Sequence, residues 1–163
     1  MSLISSFFTI KEYSGDQAVN LAHLSKTAKE PFSKMMKEGK CRFFAIVVLN
    51  KTLGRIFLFT DLEDKELADG RTLCYFSNLW VHPKLRGQKI GSKLVRFVEK
   101  EAKKCGFEFL ALGVDTDNEK NISIYKHLGY NNVIKQKSES VFVKDENNNF
   151  ASMKEYFVLT KKL

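Results

Sequence analysis

The sequence predicts an α/β (α+β) fold in which a mixed, mostly antiparallel central sheet is flanked by helices. Three observations point there. Aromatic and β-branched runs recur in adjacent pairs, as hairpins require. In the middle of the chain a strand run, a glycine-bearing turn, an amphipathic helix and a second strand run follow one another, the order of an α/β unit with a right-handed crossover. Finally, 163 residues with 44% hydrophobic and 28% charged side chains match one globular domain over 1–163, not a disordered tail or a disulfide-stapled miniature.

The opening segment MSLISSFFTIKEY has neither a basic leader nor a long apolar run, and FFTIKEY reads as a first strand. Ser14 stands three places before Gln17, the spacing of a capping box, so a helix is expected to start there. Ala18, Leu21, Ala22, Ser25 and Ala28 continue at helical spacing, and Pro31 marks either a stop or the first turn of another short helix around FSKMM. This front section is a small helical hairpin over one edge of the core or a substrate-facing lid. CRFFAIVVLN and GRIFLFTD follow as adjacent strands separated by KTL and Gly54. DLEDKELADG breaks the apolar pattern and is expected as an exposed loop; its Asp61, Glu63, Asp64 and Glu66 either attract a cationic amine or are simply solvated.

RTLCYFSNLWVH returns to strand and is ended by Pro83, which restricts the residue before it. From Ile90 through Leu94, Phe97, Val98 and Ala102 apolar residues recur at three and four positions, predicting an amphipathic helix that Gly106 can end in a left-handed conformation. FEFLALGV reads as a buried strand. Thr116 and Glu119 have capping-box spacing for a helix that runs through YKHLG and leaves at Gly129. YNNVIKQKS and EYFVLTKK then form a closing hairpin across the polar KDENNNF.

Lys and Arg number 27 against 19 Asp and Glu, a net charge of +8 that favours an anionic partner: nucleic acid, a membrane or a phosphorylated cofactor. Its distribution is local. Lys84, Arg86, Lys89 and Lys93 surround the turn in LWVHPKLRGQKIGSK, where Gly87 and Gly91 can expose backbone amides beside a helix amino end. That is a pyrophosphate cradle, or else a glycine turn on a solvated basic helix face. The glycine spacing of a dinucleotide site and the Lys-Ser or Lys-Thr of a nucleotide-triphosphate loop are both missing. No zinc-finger spacing, zipper basic region or paired RNA-binding aromatics occur, so no stable nucleic-acid complex is expected. Cys41, Cys74 and Cys105 are odd in number and scattered, as are His23, His82 and His127, so a reducing cytoplasm and no metal site are expected. No apolar run approaches membrane-spanning length, and no membrane partner is expected.

Two motifs carry a resemblance to a known family. Arg86-Gly87-Gln88-Lys89-Ile90-Gly91 matches the first and last positions of the cofactor motif of the GNAT acyltransferase superfamily (Arg or Gln, two residues, Gly, one residue, Gly or Ala), with Lys89 replacing the internal glycine. In DNEKNISIYKHLGY, Asn118, Tyr125, Leu128, Gly129 and Tyr130 fit a second motif, with Asn121 where a small Ala is common. The resemblance covers about 46–134. It implies that the amides around 86–91 bind the pyrophosphate of acetyl-CoA and that Leu79, Trp80 and Val81 bind its pantetheine arm. It also implies an N-acetyltransferase in which a primary amine attacks the thioester directly in a ternary complex, Tyr125 contacting the cofactor and protonating the leaving thiolate, and backbone groups at the end of that strand polarising the carbonyl. Asn118 orients a pantetheine or backbone contact, or caps the helix. The acceptor would be an amine-bearing small molecule, peptide or protein. Several relatives place a Glu where this chain has Gly113; Asp115 and Asp117 are nearby candidates for the base or for turn and cap roles, and Tyr75 for a water relay or the core. Cys74 and Cys105 are expected as buried structural thiols. The alternative is a noncatalytic acyl-CoA-binding module, and a homodimer through an exposed sheet edge is open.

Overall fold

The computed structural model describes residues 7–61, 72–142 and 151–163. Beyond Asp61, the expected acidic loop lies outside the described residues, as does the polar stretch 144–150. The chain divides into two compact units, one running to Leu110 and taking in Leu163, the other spanning Ala111–Lys162.

In the first unit, β1 (Lys11–Tyr13) is followed by α1 (Gly15–Leu21), α2 (Lys26–Lys37), β2 (Cys41–Val48), β3 (Lys51–Phe59), β4 (Leu73–Val81), a 3-10 turn (Pro83–Leu85) and α3 (Ile90–Lys104). Strands β1 to β4 lie side by side in chain order, each pair antiparallel. Both faces of these strands are covered, which is why β2 reads as a nearly continuous apolar run. On one face the rings of Phe43 and Phe57 meet tilted at 4.8 Å and pack with Ala18, Ala22 and Ala45, and α2 adds Phe32 at 4.8 Å from Phe57. On the other, α3 buries the stripe Ile90, Leu94, Val95, Val98 and Ala102, and Phe97 meets Phe44 edge-on at 5.2 Å. The expected helix is thus present, and Gly106, at φ 87, ends it as predicted. The amide of Gly106 bonds the Lys103 carbonyl and that of Phe107 the Ala102 carbonyl.

Three local expectations change. Ser14 is the α1 N-cap residue but its hydroxyl makes no cap bond, so the predicted capping box is not formed. The front helix breaks at Ala22 and His23, the latter at φ 51, and Pro31 sits inside α2 instead of at its boundary. Helical spacing persists through such a break because Ala22 and Ser25 satisfy the period on either side of it. The β2–β3 turn is Leu49-Asn50, at φ 48 and 60, a tight two-residue hairpin, so KTL belongs to β3. Gly54 serves a different purpose: a Cβ there would lie 3.0 Å from Leu94 Cδ1, so the missing side chain admits α3 onto the sheet.

β5 (Phe109–Asp115) starts at the end of the first unit and continues into the second, which adds α4 (Glu119–His127), β6 (Asn132–Phe142) and β7 (Ala151–Lys162). β7 lies between β5 and β6, and the β6–β7 hairpin is antiparallel from Asn132↔Thr160 to Phe142↔Ala151. The fold class is the expected mixed α/β one, with mostly antiparallel strands and, among the described residues, four α-helices.

Candidate active site

The first unit builds its site from the end of β4. Arg55↔Trp80 and Phe57↔Ser77 are paired, so three steps on β4 oppose two on β3. The extra residue falls where Asn78 adopts φ 53, a bulge that re-aims the strand just before Leu79, Trp80 and Val81. Sequence reasoning missed it; the available signal was an Asn, a residue that tolerates left-handed backbone, inside an apolar strand run. Gly91 faces Leu79 and Val81, and a Cβ on it would stand 4.0 and 3.8 Å from their side chains, ordinary contact. Small residues are therefore accommodated there, whether Gly or Ala.

Beyond Val81 the chain is braced by its own polar groups. The amide of His82 bonds Leu53 carbonyl at 2.8 Å, His82 Nδ1 accepts the Lys84 amide at 3.3 Å, and Arg86 Nε donates to the Val81 carbonyl at 3.1 Å. Gln88 Nε2 reaches back to the Lys84 carbonyl at 3.3 Å. Gly87 at φ 77 and Lys89 at φ 62, ψ 13 then turn the chain into α3. The first α3 bond runs from the Lys93 amide to the Lys89 carbonyl, so the amides of Ile90, Gly91 and Ser92 are those a helix start leaves without intrahelical acceptors. With the positive end of the helix dipole behind them they form an anion-binding geometry. Lys84, Arg86 and Lys89 are exposed around it, whereas Lys93 is diverted, its Nζ donating to the Phe8 carbonyl.

In the second unit Asn118 caps α4: its side-chain oxygen accepts the Asn121 amide at 3.1 Å. The expected Thr116–Glu119 capping box is replaced by this cap two residues later, and Asn121 supplies the amide it needs. At the other end Leu128, Gly129 and Tyr130 close the helix. Gly129, at φ 100, bonds Lys126 carbonyl at 3.0 Å, and the Tyr130 amide bonds the Tyr125 carbonyl at 3.0 Å. The two aromatic rings meet edge-on at 6.4 Å, with Tyr130 wholly buried. The spacing of Tyr125 from Leu-Gly-Tyr is therefore one device, in which the helix terminator holds the tyrosine's backbone and its ring together. Burial pushes the Tyr125 phenol above its ordinary pKa.

Other candidates are redistributed. Asp115 is paired with Lys154 at 2.6 Å, and Gly113 is exposed on β5. Cys74 is buried, donates to the Phe109 carbonyl at 3.5 Å and, like buried Cys41, has its thiol pushed up to about 12 by desolvation. Cys105 departs from expectation: it is exposed at the end of α3, where its Sγ receives Arg42 Nη1 at 3.5 Å, because the apolar residues around it in sequence belong to the helix stripe and to β5. Arg55, not singled out from the sequence, has its Nε and Nη1 buried with no hydrogen-bond partner among the described residues. No three His, Cys, Asp or Glu among the described residues gather as metal ligands, and no described helix is long and apolar enough to cross a membrane.

Known proteins resemble this chain in sequence and in fold. The chain is 30% identical over 105 residues to an uncharacterized N-acetyltransferase of Methanocaldococcus jannaschii, covering 64% of this chain and 46% of that one. It is 25% identical over 84 residues to an L-methionine sulfoximine/L-methionine sulfone acetyltransferase of Salmonella typhimurium, covering 52% and 49%. The chain thus spans about half the length of the curated relatives it matches. A GNAT family acetyltransferase of Elizabethkingia anophelis, solved with acetyl-CoA bound, has the same fold with a TM-score of 0.65 at 18% identity, over 96% of this chain and 98% of that one. The family model described as acetyltransferase (GNAT) matches residues 9–130, and on that match the chain belongs to the GNAT acetyltransferase family.

Proposed function

We propose that the 163 residues act as one N-acetyltransferase domain, moving the acetyl group of acetyl-CoA to a primary amine by direct attack. The observation that carries this reading is the turn from β4 into α3. Lys89, where the family motif has glycine, takes the left-handed conformation a glycine would take, so the α3 amides keep an anion-binding arrangement despite the substitution. Residues 86–91 hold the pyrophosphate of acetyl-CoA. The bulged end of β4, Leu79 to Val81 in chain order, offers backbone groups to pantetheine and to the thioester carbonyl as charge develops on it. The acetyl-CoA-bound structure from Elizabethkingia anophelis, which shares this fold, supports the choice of donor.

Tyr125 is assigned the general acid. Its burial keeps the phenol protonated across the neutral range, so the proton is in place when coenzyme A leaves as a thiolate. The same burial disfavours the phenolate that results, which drives rapid reprotonation. The amine must arrive neutral, and its proton goes to water or a carboxylate. Asp115 is engaged with Lys154, so Asp117 and water paths are the freer acceptors. The acceptor is a small amine, a peptide or a protein; the relative named for modified methionines favours an amino-acid-like small molecule.

Gly113 in place of a carboxylate supports a second reading, an acyl-CoA-binding module without turnover. One experiment separates the two. Acetyl-CoA is titrated calorimetrically, and coenzyme A release is then followed across small amines, peptides and proteins. Binding with amine-dependent release is the expected result; binding without release from any acceptor favours the module, and no binding overturns both.

A further inference from the structure

Within the first unit a cleft of about 410 Å³ opens beside the start of β3 and the end of β4, and its walls include His23, Lys51, Arg55, Trp80 and His82. Among the described residues its lining contains cations, imidazoles and one large aromatic ring but no Asp or Glu. The Arg55 guanidinium carbon lies 5.8 Å from the Trp80 ring centroid, a cation–π approach, yet its buried Nε and Nη1 have no acceptor among the described residues. A charged donor removed from water and left without an acceptor is costly, and burial pulls the pKa of Arg55 down. No balancing charge is therefore found among the described residues, and a ligand that enters the cleft can supply it.

The position of the cleft bears on which ligand. Gly54 faces Leu94 of α3, so its neighbour Arg55 points to the opposite face of the sheet. On β4, Leu79 and Val81 back onto Gly91 of α3, and Trp80 between them lines the cleft. The phosphate-binding turn thus begins α3 on one face, while the cleft opens on the other. Several features prepare the walls. Thr52 Oγ1 donates to the Leu21 carbonyl at 2.8 Å, tying the end of α1 to β3. His23, two residues on, stands at φ 51 in the wall. Because His82 Nδ1 accepts the Lys84 amide, the neutral ring carries its proton on Nε2, a further donor.

We infer that this cleft is a carboxylate subsite. A planar monoanion matches the guanidinium fork in shape as well as charge, and the Trp80 ring gives the rest of a small molecule an apolar wall. Resting on the acetyl-transfer reading above, the carboxylate is that of the amine acceptor, an amino-carboxylate molecule.

Trp80 is the one tryptophan of the chain, so its fluorescence reports directly on the cleft. L-leucine and L-phenylalanine are titrated beside isoamylamine and phenethylamine, their carboxylate-free counterparts, with acetate, inorganic phosphate and acetyl-CoA as separate arms. Saturable changes are expected from the amino acids and not from the bare amines. Arg55→Gln should weaken them about tenfold or more, Arg55→Lys less, with acetyl-CoA affinity unchanged as the check that each variant is folded. In transfer assays the KM of carboxylate-bearing acceptors rises in step while kcat holds. The inference is overturned by an absent response, by equal responses to the bare amines, by phosphate outcompeting the amino acids, or by their displacement with acetyl-CoA. Arg55-dependent amino-acid binding without any acetylated product would instead overturn the transfer reading and leave the subsite standing.

Discussion

In the turn at 86–91 the groups proposed to hold the cofactor are backbone amides, aimed by two left-handed residues, Gly87 at φ 77 and Lys89 at φ 62. At the end of α4 the proposed acid is a single phenol, held through the Tyr130 amide on the Tyr125 carbonyl and through two rings meeting at 6.4 Å. The first feature depends on which dihedral angles the chain adopts and little on which side chains it carries. The second depends on side-chain identity, at Tyr125 itself and at the residue that packs on it. That difference explains why the turn can depart from its family's glycine while the Tyr and Leu-Gly-Tyr stand intact. It also orders what substitutions should do.

The largest expected effect falls on the support of α4. Tyr130 is wholly buried, and Lys161 Nζ lies 5.7 Å from its ring centroid, so Tyr130→Ala removes a large core side chain and a cation–π contact together. A loss of about 3–5 kcal/mol of stability is expected, read from urea unfolding. If the loss is under about 1 kcal/mol, the helix terminator is not what holds this end. Next comes Tyr125→Phe, which keeps the ring and removes the proton. Acetyl transfer should fall about a hundredfold in kcat, with acetyl-CoA affinity and unfolding midpoint unchanged. The pH profile sharpens this assignment. An acid works only while protonated, so a raised pKa moves the falling alkaline limb of kcat upward, beyond the ordinary tyrosine value of about 10. Under chemistry-limited conditions the wild type should still be active there, and a limb below that value would remove Tyr125 from the role.

The two regions also differ in how much the sequence discloses. The α4 helix and exit are local and chemically specific, so Gly129 was legible from the residues alone and the Tyr130 spacing from the family resemblance, while the cap is Asn118, the alternative role given to it, and not Thr116. The α3 stripe was legible because burial of Ile90, Leu94, Val98 and Ala102 follows the helical period. What was not legible depends on partners distant in sequence. Gly54 looks like a turn residue until Leu94 is brought against it, and the β4 bulge at Asn78 shows only in the register with β3. Arg55 lies in an ordinary strand run, and its missing partners appear only when β3 and β4 are paired. Cys105 sits among apolar neighbours in sequence, yet the helix end turns it outward beside Arg42.

Smaller effects test the turn itself. Gly87 has nothing within 4 Å of where a Cβ would stand, so Gly87→Ala meets no clash and its cost is conformational alone. At φ 77 that cost is about 1–2 kcal/mol. If the amides after it hold the pyrophosphate, acetyl-CoA affinity should drop by up to about tenfold as the turn relaxes. An unchanged affinity would detach the turn from the cofactor.

The smallest change is expected at Lys89, and it decides whether backbone or charge governs the turn. Lys89 is exposed, makes no side-chain cap bond and holds a conformation that costs a residue with a Cβ about 1–2 kcal/mol. Lys89→Gly removes that strain but adds freedom to the unfolded chain, so the two effects largely offset and stability should rise by no more than about 1 kcal/mol. The substitution also deletes a positive charge beside an anion site, a contribution that added salt screens. If dihedral angles dominate, Lys89→Gly binds acetyl-CoA about as well as the wild type at 0.15 M ionic strength, roughly physiological, and differs from it only at low salt. If Lys89→Gly instead loses affinity at every salt concentration as Gly87→Ala does, the lysine side chain itself grips the cofactor. The contrast between an amide-built turn and a side-chain-built helix end would then fail at its first member.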